Sequence, residues 1–246
     1  AAPVRLQRLM RVEWQPALVL HKRAYRETSL QLELLTRDHG IVGLVAKGVT
    51  GAKNHVLRAQ LQPLQHIKVS FLLKSELGTL TGSEPLPPVL AIAGDRLMAG
   101  LYLNELVLKL CPRQDADNEL YQRLLAARSE LAGSMPLAWL VRRFERDLIQ
   151  HLGYMTPWSA TANGTDIEPE RHYRAYPELG LIPAKAEEPG VLSGIDLLDF
   201  NADRMPSLPA LGALRQLMHG VIAMHLGKSL PRSWQMIGEL SRPMKP

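Results

Sequence analysis

The sequence predicts an α+β protein: a closed five-stranded β-barrel first, then an α-helical bundle interrupted by a loop-rich insertion. Three observations carry this expectation. Apolar residues alternate with a period of two before Pro85, and they recur at helical spacing from Gly94 to Gly153. Seven of the eighteen prolines then fall between Thr156 and Pro209, where neither period persists. The expected divisions are 1–87 for the barrel, 88–155 for the central helices, and 156–246 for the insertion and closing helices. At 246 residues, with 46% hydrophobic and 22% charged side chains, the chain can bury a sizeable core and is too apolar to be wholly disordered.

The strands come first. ALVL (Ala17 to Leu20), SLQLELLT (Ser29 to Thr36) and IVGLVAK (Ile41 to Lys47) are followed by LQHIKVSFLL (Leu64 to Leu73) and LGTLTGSE (Leu77 to Glu84). Leu30, Leu32 and Leu34 alternate with Gln31 and Glu33, and Ile67, Val69 and Phe71 with Lys68 and Ser70, so each run has one face for a core and one for water. Asp38-His39-Gly40 reads as a tight hairpin in which Gly40 takes a positive φ. Five short strands in about 70 residues, with Thr50 to Gln62 between the third and fourth as a helix or long loop, point to the OB-fold.

The helices follow. Asp95 is the expected N-cap of a helix ending at Pro112, apolar on more than one face and therefore central. Asp117 caps a second helix that stops near Gly133, and Pro136 opens a third that stops at Gly153. Short links make these three a bundle. The proline-rich stretch admits at most short strands, such as Gly180 to Ile182 and Gly190 to Leu192. Helical spacing returns from Leu211 to Ile222, ends at Gly227, and a short amphipathic piece with Trp234, Ile237 and Leu240 closes the fold.

Searches for catalytic chemistry fail. Gly227-Lys228-Ser229 lacks the earlier glycine and the strand-to-helix setting of a phosphate-binding loop, and no HExxH, G-x-S-x-G or G-x-G-x-x-G occurs. The eight histidines are scattered, and the single cysteine, Cys111, excludes an internal disulfide and a cysteine-ligated cluster. The N-terminal AAPVRLQRLMRVEW has no apolar h-region and is not expected to be a secretory signal, and no run is long enough to span a membrane. The protein is expected not to be an enzyme and to hold no metal or cofactor.

Charge is the informative signal. Up to Glu84 there are 12 Lys plus Arg against 6 Asp plus Glu, whereas the remaining 162 residues hold 17 against 18. The whole basic excess therefore sits in the barrel, as expected of a module that meets a polyanion. Lys22, Arg23 and Arg26 are expected in the turn between strands one and two, Lys47, Lys53 and Arg58 in the next open segment, and Lys68 on strand four. Tyr25 is the preferred base-stacking residue, because Phe71 belongs to the barrel core. Scarce aromatics predict electrostatic, sequence-tolerant binding of nucleic acid.

Several strings resemble a known family. WQPALVLHKRAYRETSLQLELLTRDHGIVGLVAKGV, LQPLQHIKVSF and ELGTLTGSEPL are similar to the N-terminal barrel of RecO, the bacterial recombination mediator. GLYLNELVLKL and VRRFERDLIQHLGY resemble its central helices, and LGKSLPRSWQMIGEL its C-terminal segment. The resemblance implies a cytoplasmic, nucleoid-associated DNA repair and recombination factor. Such a factor binds single- and double-stranded DNA, anneals complementary strands and, with RecR, helps RecA replace single-strand binding protein. The alternative is an RNA-binding or translation-associated OB protein.

Many RecO proteins carry a four-cysteine zinc site, whose positions fall here at about Ala160, Asn163, Pro183 and Ala186. No cysteine remains there, so zinc is not implied, and packing alone is expected to hold the insertion. The resemblance further implies recognition of the acidic C-terminal tail of single-strand binding protein. The residues expected to form that pocket are Tyr102 and Leu106 on the first helix with Arg142, Arg143 and Arg146 on the third. Arg142 is the expected carboxylate contact, clamped with Arg146 four residues on.

Overall fold

The computed structural model describes residues 9–51, 54–154 and 158–234, which fall into two compact units. The first takes the chain up to Ala132 and adds Ser233 and Trp234, and the second takes Gly133–Arg232.

The first unit is built on the barrel. Strands β1 (Met10–Tyr25), β2 (Ser29–Thr36), β3 (Gly40–Ala46), β4 (His66–Leu73) and β5 (Leu77–Pro85) close in the order β1-β2-β3-β5-β4. All neighbours are antiparallel except β3 and β5. A short helix α1 (His55–Gln60) lies between β3 and β4, where the OB-fold expectation put it. Val19, Leu32, Leu34, Val42, Leu44, Ile67, Val69 and Phe71 fill the interior.

β1 is 16 residues long, much longer than the expected run from Ala17 to Leu20. Its first half pairs with β4 and its second half with β2, and register shifts at Val12/Gln15 and Val19/His21 bend it from one partner to the other. Polar residues outside the central ALVL face water, so alternation alone did not reveal them as strand. Lys22 and Arg23 consequently lie on β1 itself, opposite Leu32 and Gln31, and not in the turn.

Helices α2 (Gly94–Leu110) and α3 (Asn118–Leu131) pack in the same unit. Leu18 and Leu20 are buried on the side of β1 away from the barrel interior, and the buried Asn104 of α2 donates to the carbonyls of Val19 (3.1 Å) and Leu20 (3.0 Å). That contact explains why α2 is apolar on more than one face. Asp95 lies within the first turn of α2, with Ala93 at the N-cap, so its carboxylate faces the helix dipole without capping it. Asp117 does cap α3, accepting from the Leu120 amide at 2.9 Å. The Ser233 hydroxyl and amide both donate to Glu105 of α2, at 2.7 and 3.0 Å.

The second unit holds α4 (Leu137–His151), strands β6 (His172–Tyr176), β7 (Gly180–Ala184) and β8 (Leu192–Ser193), and helices α5 (Gly194–Asn201) and α6 (Leu208–Leu226). The expected three-helix bundle is thus divided: α2 and α3 pack in the first unit, while α4 packs on α6 in the second. Inward side chains set this arrangement. Trp139 of α4 and Trp158 both meet the ring of Phe200 edge-on, at 6.0 and 4.9 Å. The three strands form one antiparallel sheet in the order β7-β6-β8. β6 and α5 were not anticipated, because each is short and flanked by proline and glycine. Ser193 caps α5 through the Asp196 amide. Ile237 and Leu240 of the expected closing piece lie outside the described residues.

Ala160, Asn163, Pro183 and Ala186 hold no cysteine, and a hydrogen-bonded knuckle occupies the first pair's position. The buried Thr161 hydroxyl lies 2.8 Å from Asn163 Oδ1 and 2.5 Å from Thr165 Oγ1, and it accepts the Thr165 amide at 3.1 Å. The Ala162 amide donates to the Leu181 carbonyl at 2.8 Å, tying the knuckle to β7. Packing is therefore supplemented by a polar network. Thr161→Val should lower stability by about 2 kcal/mol, the scale of leaving buried polar partners unsatisfied. A chelator should leave the melting temperature unchanged, and calorimetry with and without EDTA checks both statements.

Candidate nucleic-acid interface

The hairpin that joins β1 to β2 forms one wall of an open cleft of about 720 Å³ on the barrel. Tyr25, Arg26, Glu27, Thr28 and Ser29 line that wall, while Val45, Lys47 and Gly48 at the end of β3 and Leu77, Gly78 and Thr79 at the start of β5 line the rest. The turn is tight enough to put Arg26 at a φ of 55°, and this holds its guanidinium 5.3 Å from the centroid of the Tyr25 ring. Gly78 is buried beside the cleft, where a Cβ would meet the Leu72 carbonyl at 2.6 Å and the core side chain of Leu44 at 2.9 Å, so close packing of β5 on β4 and β3 requires glycine there. A stacking ring, two exposed cations against the single carboxylate of Glu27, and several hydroxyls thus share one surface, net positive and suited to a phosphodiester strand with unpaired bases.

The remaining candidates lie elsewhere on the barrel. Arg23 is exposed on the outer face and donates twice to Gln31 Oε1, at 2.8 and 3.1 Å. Lys22 points toward α1 and donates to Gln62 Oε1, and partial burial, then the nearby Arg58 charge, push its pKa down. Arg58 donates to the Thr50 carbonyl at 3.1 Å. Lys68 stands on β4 opposite Pro16 and Glu84. Lys53 lies outside the described residues. Of the eight sequence candidates, Tyr25, Arg26 and Lys47 converge in the cleft; Lys22 and Arg58 form a second group beside α1. Thr28 in the β1–β2 turn, Ser29 and Thr79 were not among the sequence candidates, because hydroxyl residues in turns and strands carry no signal until the barrel closes.

The residues expected to form the partner pocket are distributed over both units. Tyr102 and Leu106 are 1% and 0% exposed in the core of the first unit, whereas the three arginines belong to the second. Arg142 and Arg146 do not clamp one carboxylate. Arg142 is 5% exposed and donates to the buried Glu145 at 2.7 Å, leaving its Nη1 without a hydrogen-bond partner. Arg146 is spent on Asp147, Asp203 and the Phe200 carbonyl. Arg143 reaches Asp203 at 3.8 Å. Beside Arg142, burial and then the charges of Arg142 and Arg215 push His219 down to about 4, so it is neutral at pH 7.

Among the described residues, no cluster of histidine, cysteine and carboxylates could hold a metal ion, and no helix is long and apolar enough to cross a membrane. Burial raises the Cys111 thiol to about 12, which leaves it unreactive as a nucleophile near neutrality.

Comparison with known proteins agrees along almost the whole chain. Residues 10–89 match the family described as Recombination protein O N terminal, and residues 93–234 match Recombination protein O C terminal. The DNA repair protein RecO of Xanthomonas euvesicatoria pv. vesicatoria (strain 85-10) is 41% identical over 238 residues, covering 95% of this chain and 99% of the relative. That of Stenotrophomonas maltophilia (strain K279a) is 42% identical over 236 residues, covering 94% and 99%. That of Xanthomonas campestris pv. campestris (strain B100) is 38% identical over 238 residues, covering 95% and 99%. With both halves matched in order and nearly full coverage of each relative, the chain belongs to the RecO family of DNA repair and recombination proteins.

Proposed function

We propose that the protein is a non-enzymatic recombination mediator that binds single- and double-stranded DNA through its barrel and anneals complementary strands. The observation that carries this reading is the convergence of Tyr25, Arg26 and Lys47 on one open cleft. A strand held there has its phosphates neutralised, so a second strand approaches against weaker repulsion. No nucleotide is consumed in such a step. Together with RecR, the protein would then help RecA replace single-strand binding protein, as the family's role implies. The test is annealing of complementary oligonucleotides at low salt without ATP. A rate no faster than that of the strands alone overturns the reading. Preference for RNA over DNA of equal length in competition would favour the RNA-binding alternative instead.

The tail of single-strand binding protein is proposed to meet the second unit at Arg142. Support comes from its partnerless Nη1 and from the neighbouring Arg215, two cations that would receive an acidic peptide. Arg142→Ala should weaken tail-peptide binding by about 2–4 kcal/mol, the scale for losing a buried charged contact, while DNA binding stays near normal. Titration calorimetry with the peptide checks this, and wild-type affinity in the variant would place the pocket elsewhere.

A further inference from the structure

Up to Pro85 the chain has three aromatic side chains, Trp14, Tyr25 and Phe71. Phe71 is sealed in the barrel core and Tyr25 lines the cleft, but Trp14 sits on the outside of the barrel, 46% exposed. Its position is built. Where β1 pairs with β4, Val12 stands opposite Phe71 and Gln15 opposite Val69, so Glu13 and Trp14 share the single place opposite Ser70. This bulge gives Trp14 a φ of 50°, a left-handed conformation that a bulky residue keeps only where its surroundings enforce it. The Trp14 amide donates to Ser70 Oγ at 3.0 Å. The indole then reaches across β4 to β5. A Cβ added to Gly82, which pairs with Ser70, would stand 3.4 Å from Trp14 Cη2 and 3.8 Å from Cζ3. Serine and glycine thus make a low seat for the ring and leave much of it to water.

The surroundings decide what such a ring can bind. Neighbouring charges cancel: Arg11 pairs with Glu13 at 2.8 Å, Arg37 with Asp38 at 2.9 Å, and Lys68 stands opposite Glu84. One ring among polar neighbours offers far less than the roughly 800 Å² per side that a specific protein partner buries. An unpaired base needs only a π-face, and stacking asks for no net charge. A strand in the cleft would supply that base. Thr79 lines the cleft, and Gly82 follows it by three residues on β5, roughly 10 Å at the rise of a strand. Resting on the DNA-binding reading of the cleft, we propose that Trp14 is a second base-stacking platform, which receives the bases of a single strand leaving the cleft along β5.

The test titrates the full chain with a labelled single-stranded oligonucleotide of mixed sequence, reading anisotropy of the label and emission of the protein's tryptophans. Trp14→Ala should weaken binding at least about fivefold, the lower end of what one stacked base contributes. The log–log salt slope should not change, because no phosphate contact is lost. Affinity for a duplex should stay at the level of the unaltered protein, since paired bases present no free face. Trp14→Phe should keep most of the affinity yet lose quenching that the oligonucleotide causes in the unaltered protein, a readout independent of how stable the alanine variant is. Unaltered affinity in Trp14→Ala, or equal quenching with and without Trp14, overturns the proposal and leaves the cleft reading intact. An equal loss on duplex and single strand also overturns it, by assigning Trp14 to barrel structure. Failure of the unaltered protein to bind the oligonucleotide overturns both.

Discussion

Arg26→Glu combined with Lys47→Glu is expected to lower single-stranded DNA affinity on the order of 10- to 100-fold at moderate salt, uniformly across sequences. The two side chains line one cleft from different turns, Arg26 from the β1–β2 turn and Lys47 from the residue that follows β3. Both are exposed. Removing two phosphate contacts should flatten the log–log salt dependence by about 1.4 units for a single strand. Arg23→Glu is the informative control. Its guanidinium is engaged with Gln31 on the outer face, so its reversal should cost much less than either cleft residue. Fluorescence anisotropy at several salt concentrations reads both quantities. If Arg23 and the cleft pair prove equivalent, binding follows overall charge and not the cleft.

Gly40→Ala should produce the largest loss of stability of any conservative change in the barrel, about 2–4 kcal/mol. Two causes add. Gly40 has a φ of 61°, a left-handed conformation that costs an L-residue about 1 kcal/mol or more. A Cβ there would also lie 2.0 Å from the Asp115 carbonyl oxygen, a backbone atom that cannot swing aside, and such overpacking adds about 1–3 kcal/mol. The same close approach lets the Gln114 amide donate to the Ile41 carbonyl at 3.0 Å and Arg113 pair with Glu33 at 2.6 Å. Chemical denaturation should show the drop with the slope unchanged. Gly48→Ala is the comparison: its φ is 69° but no atom lies within 4 Å of the added Cβ, so only the conformational part should remain.

The barrel was legible because its determinants are local. Alternation in β2 and β4, the Asp38-His39-Gly40 turn and the helical segment before β4 specify a five-stranded sheet with one wet face, and the structure has these elements in order. The family was legible for a related reason: its strings run through strands and helices whose spacing is constrained by packing. Charge asymmetry also needed no structure, since it is a sum over side chains.

Pairing and burial across long separations were not legible. β1 reads as four apolar residues because its ends are polar on the surface, yet backbone pairing with two different strands extends it to sixteen residues. That extension moves Lys22 and Arg23 out of the turn and leaves Tyr25, Arg26 and Lys47 as the cleft group. Helical spacing likewise placed Arg142 and Arg146 on one face of α4, correctly by geometry. Arg142 is taken by Glu145 three residues on, whereas Arg146 is taken by Asp203 and the Phe200 carbonyl, more than fifty residues away, and these partners separate the two side chains chemically. The residue types, their local periods and their net charge thus determine strand, helix and sign of the surface, because those depend on neighbours in the chain. Which cations stay available to a ligand depends on distant carboxylates and carbonyls brought close by folding, and that is a property of the packed molecule.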